Sequence, residues 1–185
     1  MEIDFSNPTT ILVLVVVALA IILLIIAIVQ NQRRARLRQK FGSEYDRTVS
    51  NLGSAPKADE SLSRREAEVE KLKLRELAPP ERERFLHEWF AVQSRFVDHP
   101  KGALVEADEL VCSLLQARGY PATSFEQSAE HLSVDHPRLI ENFRTAHAAI
   151  ERSVRGEANT EELRAAMIHY RALFDELTQT KTVVP

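Results

Sequence analysis

The sequence predicts an all-α protein, a single N-terminal transmembrane helix followed by a compact antiparallel helical bundle. Three observations carry this expectation. Residues 11–29, ILVLVVVALAIILLIIAIV, are nineteen side chains without one polar atom. Beyond residue 80, four stretches repeat apolar residues at three- and four-residue spacing, the period of an amphipathic helix. No segment shows the apolar–polar alternation of β-branched residues that marks a half-buried strand.

At a helical rise of 1.5 Å per residue, a run of that length spans about 28 Å, close to the hydrocarbon thickness of a bilayer. Eleven of the nineteen residues are Val or Ile, which is poor for a helix in water. Lipid offers the backbone no other hydrogen-bond partners, so helix is required there. A cleaved signal peptide is the main rival. It would need basic residues in the leader, where MEIDFSNPTT has Glu2 and Asp4, and a shorter apolar core. An uncleaved anchor is therefore expected, with residues 1–10 as a tail on the outer side.

Orientation follows from charge. No Lys or Arg precedes the run, whereas Arg33, Arg34, Arg36, Arg38 and Lys40 follow it closely. Basic residues stay on the cytoplasmic side, so everything from Gln30 onward is expected inside. A domain held outside the cell membrane would need that rule to fail. The segment 30–40 reads as a continuation of the helix, its five basic side chains candidates for contact with anionic lipid headgroups.

The formal charge of −3 over 185 residues hides an asymmetry. Residues 41–185 hold nineteen basic and twenty-five acidic side chains, a net −6. An acidic body opposes nucleic-acid binding, which needs a basic face on the domain. The single cysteine, Cys112, rules out an internal disulfide. Eighteen Arg against six Lys hints at a GC-rich bacterial genome.

Residues 41–79 read as a tether and a charged spacer helix. Gly42 to about Ala55, rich in Gly, Ser and Asp, is expected to be flexible apart from a short turn around Glu44–Val49. LSRREAEVEK, Leu62 to about Lys71, reads as a solvated helix packed lightly on the domain. Two prolines at 79 and 80 end whatever precedes them.

The bundle domain is expected over 80–178. Its first helix, from Pro80, aligns Phe85, Trp89, Val92 and Phe96, with Leu86, Phe90 and Val97 widening the buried face. Its second aligns Leu104, Ala107, Leu110, Val111 and Leu114, and Gly119 suits its C-terminal cap. Thr123-Ser124-Phe125-Glu126 has capping-box spacing, predicting a short helix to about Leu132. Val134-Asp135-His136-Pro137 repeats Val97-Asp98-His99-Pro100, read as two similar helix starts with Pro in the first turn. The next helix, Pro137–Arg155, turns Leu139, Phe143, Ala146, His147 and Ile150 inward. Thr160 is expected to cap the last, whose stripe is Leu163, Met167, Tyr170, Phe174 and Leu177. Residues 179–185 are expected to be a disordered tail.

Candidate chemistry is sparse. None of the spacings HExxH, ExxH on two helices or Cys-x-x-Cys occurs, so neither metal nor cofactor is expected. The chain has only five glycines, without a phosphate-binding loop or a G-x-S-x-G. Cys112 lacks a motif that would supply a base and reads as inert. Of six histidines, His147 alone falls on an apolar face. With Tyr170 and Arg171 it defines a speculative pocket, although a hydrogen-bonded core histidine explains it more simply. Burial should lower its pKa unless an acidic partner intervenes.

The strings EWFAVQSRFVDHP, LLQARGYPATSFEQSAEHLSVDHP and AMIHYRALFDEL, with Phe41-Gly42-Ser43-Glu44-Tyr45-Asp46-Arg47 matching FG-x-EYDR, resemble an uncharacterised bacterial family of single-span membrane proteins with a helical C-terminal domain. The resemblance covers about Phe41 to Leu177 and implies the anchored layout and a bacterial origin, but no catalytic residue. The expected function is a membrane-anchored binding or scaffold module facing the cytoplasm, in the bacterial inner membrane. Its partners are the bilayer, anionic headgroups and an unidentified protein. The alternative is a membrane-tethered enzyme or small-ligand-binding protein using the pocket around His147, Tyr170 and Arg171.

Overall fold

The computed structural model describes residues 8–121 and 124–179. The expected terminal tails fall almost wholly outside these residues, as does Thr123. Eight helices and no strand occur among the described residues. They are α1 (Pro8–Phe41), α2 (Ser43–Leu52), α3 (Ala55–Glu70), α4 (Pro79–Phe96), α5 (Pro100–Ala117), α6 (Phe125–Asp135), α7 (Ile140–Val154) and α8 (Thr160–Thr178).

Among the described residues one helix, α1, is long and apolar enough to cross a membrane. Every side chain from Leu12 to Gln30 is exposed. Without a break the same helix then enters the folded domain, where Leu37 and Phe41 are buried.

The expected tether is a helix instead. Tyr45, Thr48, Val49 and Leu52 recur at helical spacing, and α2 folds back along α1 at Gly42, burying Tyr45 and Thr48. The spacer helix starts earlier than expected, at Ala55 with Pro56 in its first turn, and buries Ala58, Leu62 and Val69. Together Leu37, Phe41, Tyr45, Leu62, Val69 and Val134 of α6 form a small second core. Polar composition suggested a solvated linker because only one narrow face of each helix is apolar. That face suffices when α1 supplies the other half.

The main core lies among α4, α5, α7 and α8, with α6 joining it to the second core. α4 packs antiparallel to α5 and α7 to α8, as Arg95–Glu106 and Arg152–Glu162 near the joins record. The non-adjacent α5 and α8 run the same way, tied at one level by Tyr170 to Asp108 and further on by Arg118 to the Leu177 carbonyl. The predicted stripes of α5 and α8 are buried throughout. Trp89 of α4 stacks on Phe174 of α8 at 4.7 Å between ring centroids.

Three expectations are corrected at the edges of the bundle. Leu86, Phe90 and Val97 do not widen a buried face, since Phe90 is 70% and Val97 82% exposed. The helix lies on the rim of the bundle, so only the Phe85–Trp89–Val92 line is covered. The α8 cap is Asn159 rather than Thr160, its side chain accepting from the Glu162 amide while Glu162 accepts from the Asn159 amide. The two Val-Asp-His-Pro copies also diverge. The first starts α5 at Pro100, whereas α6 continues through Asp135 and α7 begins only at Ile140. Asp135 accepts the Tyr120 hydroxyl at 2.7 Å, and His136 sits 3.5 Å from Glu176. These tertiary partners hold the second copy in another shape.

The connection between α3 and α4 crosses the end of α5, where the Arg75 amide donates to the Arg118 carbonyl at 2.9 Å. Gly119 has φ of +98°, and a Cβ there would lie 2.5 Å from the Lys73 carbonyl oxygen. Both the left-handed conformation and the backbone neighbour oppose a side chain. Gly119→Ala should therefore destabilise the protein by about 1–3 kcal/mol or more, measurable as a lower midpoint in chemical denaturation.

Candidate functional site

The five basic side chains after the apolar run are carried by α1, which presents four of them in a belt facing α2 and α3. Arg34 pairs with Asp59 at 3.4 Å, Arg38 with Asp46 at 3.1 Å and Lys40 with Glu66 at 2.7 Å, while Arg36 also pairs with Glu66. Arg33 is exposed and has no ion pair among the described residues. The candidate headgroup contacts are thus mostly engaged within the chain. These pairs are largely exposed, so each adds at most about 1 kcal/mol. Their larger effect is to set the register of α3 on α1.

Behind this belt, the FG-x-EYDR string acts as a joint. Phe41 and Tyr45 fill the second core, and the Tyr45 hydroxyl donates to Asp59 at 2.8 Å. Glu44, only 3% exposed, accepts from Arg65 of α3 at 3.0 Å and from both terminal nitrogens of Arg144 on α7. Arg65 continues to Glu130 of α6 at 2.6 Å. One buried carboxylate therefore joins three helices, and Arg65 extends the joint to a fourth. Local sequence gives Glu44, Arg65, Glu130 and Arg144 no role as a set. The available signal was the α2 stripe, which places Glu44 beside the buried Tyr45.

Of the three residues of the speculative pocket, His147 and Tyr170 come together and Arg171 does not. Asp108 of α5, which the sequence does not single out, is what brings His147 and Tyr170 together. It accepts the Tyr170 hydroxyl at 2.7 Å and lies 3.5 Å from His147 Nδ1. Its position gave a signal, four residues after Leu104 and three before Val111 on the apolar stripe of α5. Tyr170 is completely buried, Phe143 meets its ring edge-on, and Phe125 stacks on the His147 ring at 3.7 Å between centroids. Arg171 points elsewhere and pairs with Asp175 at 3.6 Å.

Asp108 is the acidic partner that keeps burial from lowering the His147 pKa. The Asp108 hydrogen bond raises it above the ordinary histidine value and outweighs partial burial, helped by the charges of Asp108, Glu151 and Glu126. Burial and Asp108 together push the Tyr170 hydroxyl far above its usual range. Burial also pushes the Cys112 thiol up to about 11, which opposes a thiolate at neutral pH. Among the described residues, no group of three or more His, Cys, Asp or Glu side chains is placed to hold a metal.

Compared with family models, curated proteins and solved structures, the chain matches none.

Two outcomes follow from this geometry. Glu44→Gln removes the charge between Arg65 and Arg144 and should cost about 3–5 kcal/mol, read as a lower denaturation midpoint with the helical content of the folded state retained. His147 should titrate above 6.5 by NMR, and Asp108→Asn should lower that value. The sign is that of a raised folded pKa. The contribution of His147 to stability is fully present below the unfolded value and lost as pH rises through the folded one.

Proposed function

We propose that this chain is a single-pass membrane protein whose helical domain is a binding or scaffold module held at the cytoplasmic face of a bacterial inner membrane. The observation that carries the reading is α1 itself, apolar and wholly exposed from Leu12 to Val29, then packed into the domain without a break. Exposed apolar surface of that extent is stable in lipid, not in water. The cytoplasmic side rests on the five-to-none basic asymmetry across the run. The bacterial setting rests on the resemblance of the motif strings.

Binding to a protein is supported by the rim helix α4. It shows Leu86 and Phe90, and Val97 at its C-terminal cap, to solvent on one side of the domain. Such a module works by orientation rather than reach, because α2 and α3 replace the flexible tether. Catalysis has no such support, since the side chains that suggested it fill one another's space and Arg171 stands apart. The acidic body leaves nucleic acid an unfavourable partner.

Topology is checked by fusing alkaline phosphatase or a fluorescent protein to Pro185. A bright fluorophore with silent phosphatase is expected, and the opposite pattern would place the domain outside. For the binding reading, Phe90→Asp should leave abundance and melting temperature unchanged while removing proximity-labelled neighbours. Unchanged neighbours would take α4 out of the contact surface.

A further inference from the structure

Where the α2–α3 corner sits relative to the end of the apolar run can be read from ion pairs. Arg34 with Asp59 and Lys40 with Glu66 are separated by 25 and 26 residues, so α3 runs parallel to α1 with that offset. Arg36 with Glu66 gives an offset of 30, and the start of α3 at Ala55 thus falls level with residues 25–30 of α1. α2 runs the opposite way, and Arg38 opposite Asp46 puts Leu52 level with Gln32. Both estimates bring the corner beside Val29, the last residue of the apolar run. At 1.5 Å per residue, Gln32 lies only about 5 Å beyond Val29 along the helix. The polar layer on each face of a bilayer is about 5–8 Å deep. A tilt of ~20° moves a helix packed 8–10 Å to the side by only about 3 Å. The corner therefore cannot clear that layer while α1 spans.

Its chemistry suits the position. Residues 47–57, RTVSNLGSAPK, contain two basic and no acidic side chains in an otherwise acidic domain. Leu52 is 41% exposed at the tip, where Gly53, at φ of +71°, closes α2 in the left-handed conformation and turns the chain. Lys57 and Arg33 are both exposed nearby. An exposed apolar tip with exposed cations at its level matches an anionic interface, where the side chain enters the headgroup boundary and the cations meet phosphates.

We propose that the α2–α3 corner is a second membrane contact, with Leu52 inserted into the interfacial layer of the bilayer that α1 spans and Lys57 and Arg33 among anionic headgroups. The proposal rests on the membrane-span reading of α1. Because the Glu44 joint ties α2 and α3 to α7, this contact fixes which face of the bundle looks away from the membrane.

The test uses the full chain in nanodiscs containing phosphatidylglycerol, with Cys112→Ser to clear the sole cysteine. Single cysteines replace Leu52, Leu19 or Lys71 and carry an environment-sensitive fluorophore, and lipids carry a spin label near the headgroup or deep in the acyl chain. Leu52 and Lys71 are exposed, so neither substitution disturbs a core. Lys71, at the far end of α3, lies about 24 Å further along the helix direction than Ala55. A label at position 52 should shift to the blue and lose emission to the headgroup quencher, whereas one at 71 should do neither. A label at position 19 should lose emission to the deep quencher. If 19 is quenched and 52 behaves like 71, the corner contact is wrong and the span stands. If 19 escapes the deep quencher, the span reading fails and the corner contact with it. A shift at 52 that disappears when each disc holds one chain would assign Leu52 to a second copy and overturn the proposal.

Discussion

The carboxylate of Glu44 lies between two guanidiniums, Arg65 and Arg144, in a place almost closed to water. Removing three charges from solvent is costly, and only the mutual attraction and good hydrogen-bond geometry offset it. The joint therefore tolerates few arrangements of the helices that carry it. α2 must fold back on α1, α3 must lie beside both, and α7 must present Arg144 at that level. Glu130 extends the same constraint to α6. Apolar packing alone would hold these elements together less specifically, because the second core is small.

This constraint changes what the basic stretch does. In sequence, the arginines after the apolar run are a topology signal and candidate lipid contacts. In the fold, Arg34, Arg36, Arg38 and Lys40 face acidic side chains of α2 and α3. Screened surface pairs contribute little stability individually. As a ladder along one helix, they select a register. The belt thereby converts a charged helix into a rigid extension of the apolar run, and the domain has a defined attitude relative to it instead of a tethered freedom.

The main core uses a second polar device. Asp108 enters an apolar layer and is matched by the Tyr170 hydroxyl and by His147, itself sandwiched against Phe125. An unpaired carboxylate there would carry a large desolvation penalty. Paired, it specifies that α5, α7 and α8 meet at one level, including the parallel pairing of α5 with α8. The raised His147 pKa is a consequence of this pairing.

Much of this architecture is determined by local periodicity and is legible in the sequence. The apolar run of 11–29, the inward stripes of α5 and α8, and the prolines that open α4 and α5 each act within one turn or one helix. The nineteen apolar side chains leave no face for water, and Leu163, Met167, Tyr170, Phe174 and Leu177 leave one choice of inward face. Only the tertiary structure decided the rest, because it depends on residues far apart in the chain. Residues 43–52 are polar enough to read as a tether until α1 covers Tyr45 and Arg144 meets Glu44, one hundred positions away. Leu86 and Phe90 look buried until α4 is placed on the rim. Arg171 joins His147 on paper, but the side chain that does so in space is Asp108. A residue's partner is set by the packing of whole helices, and a single strand of sequence carries no record of that distance.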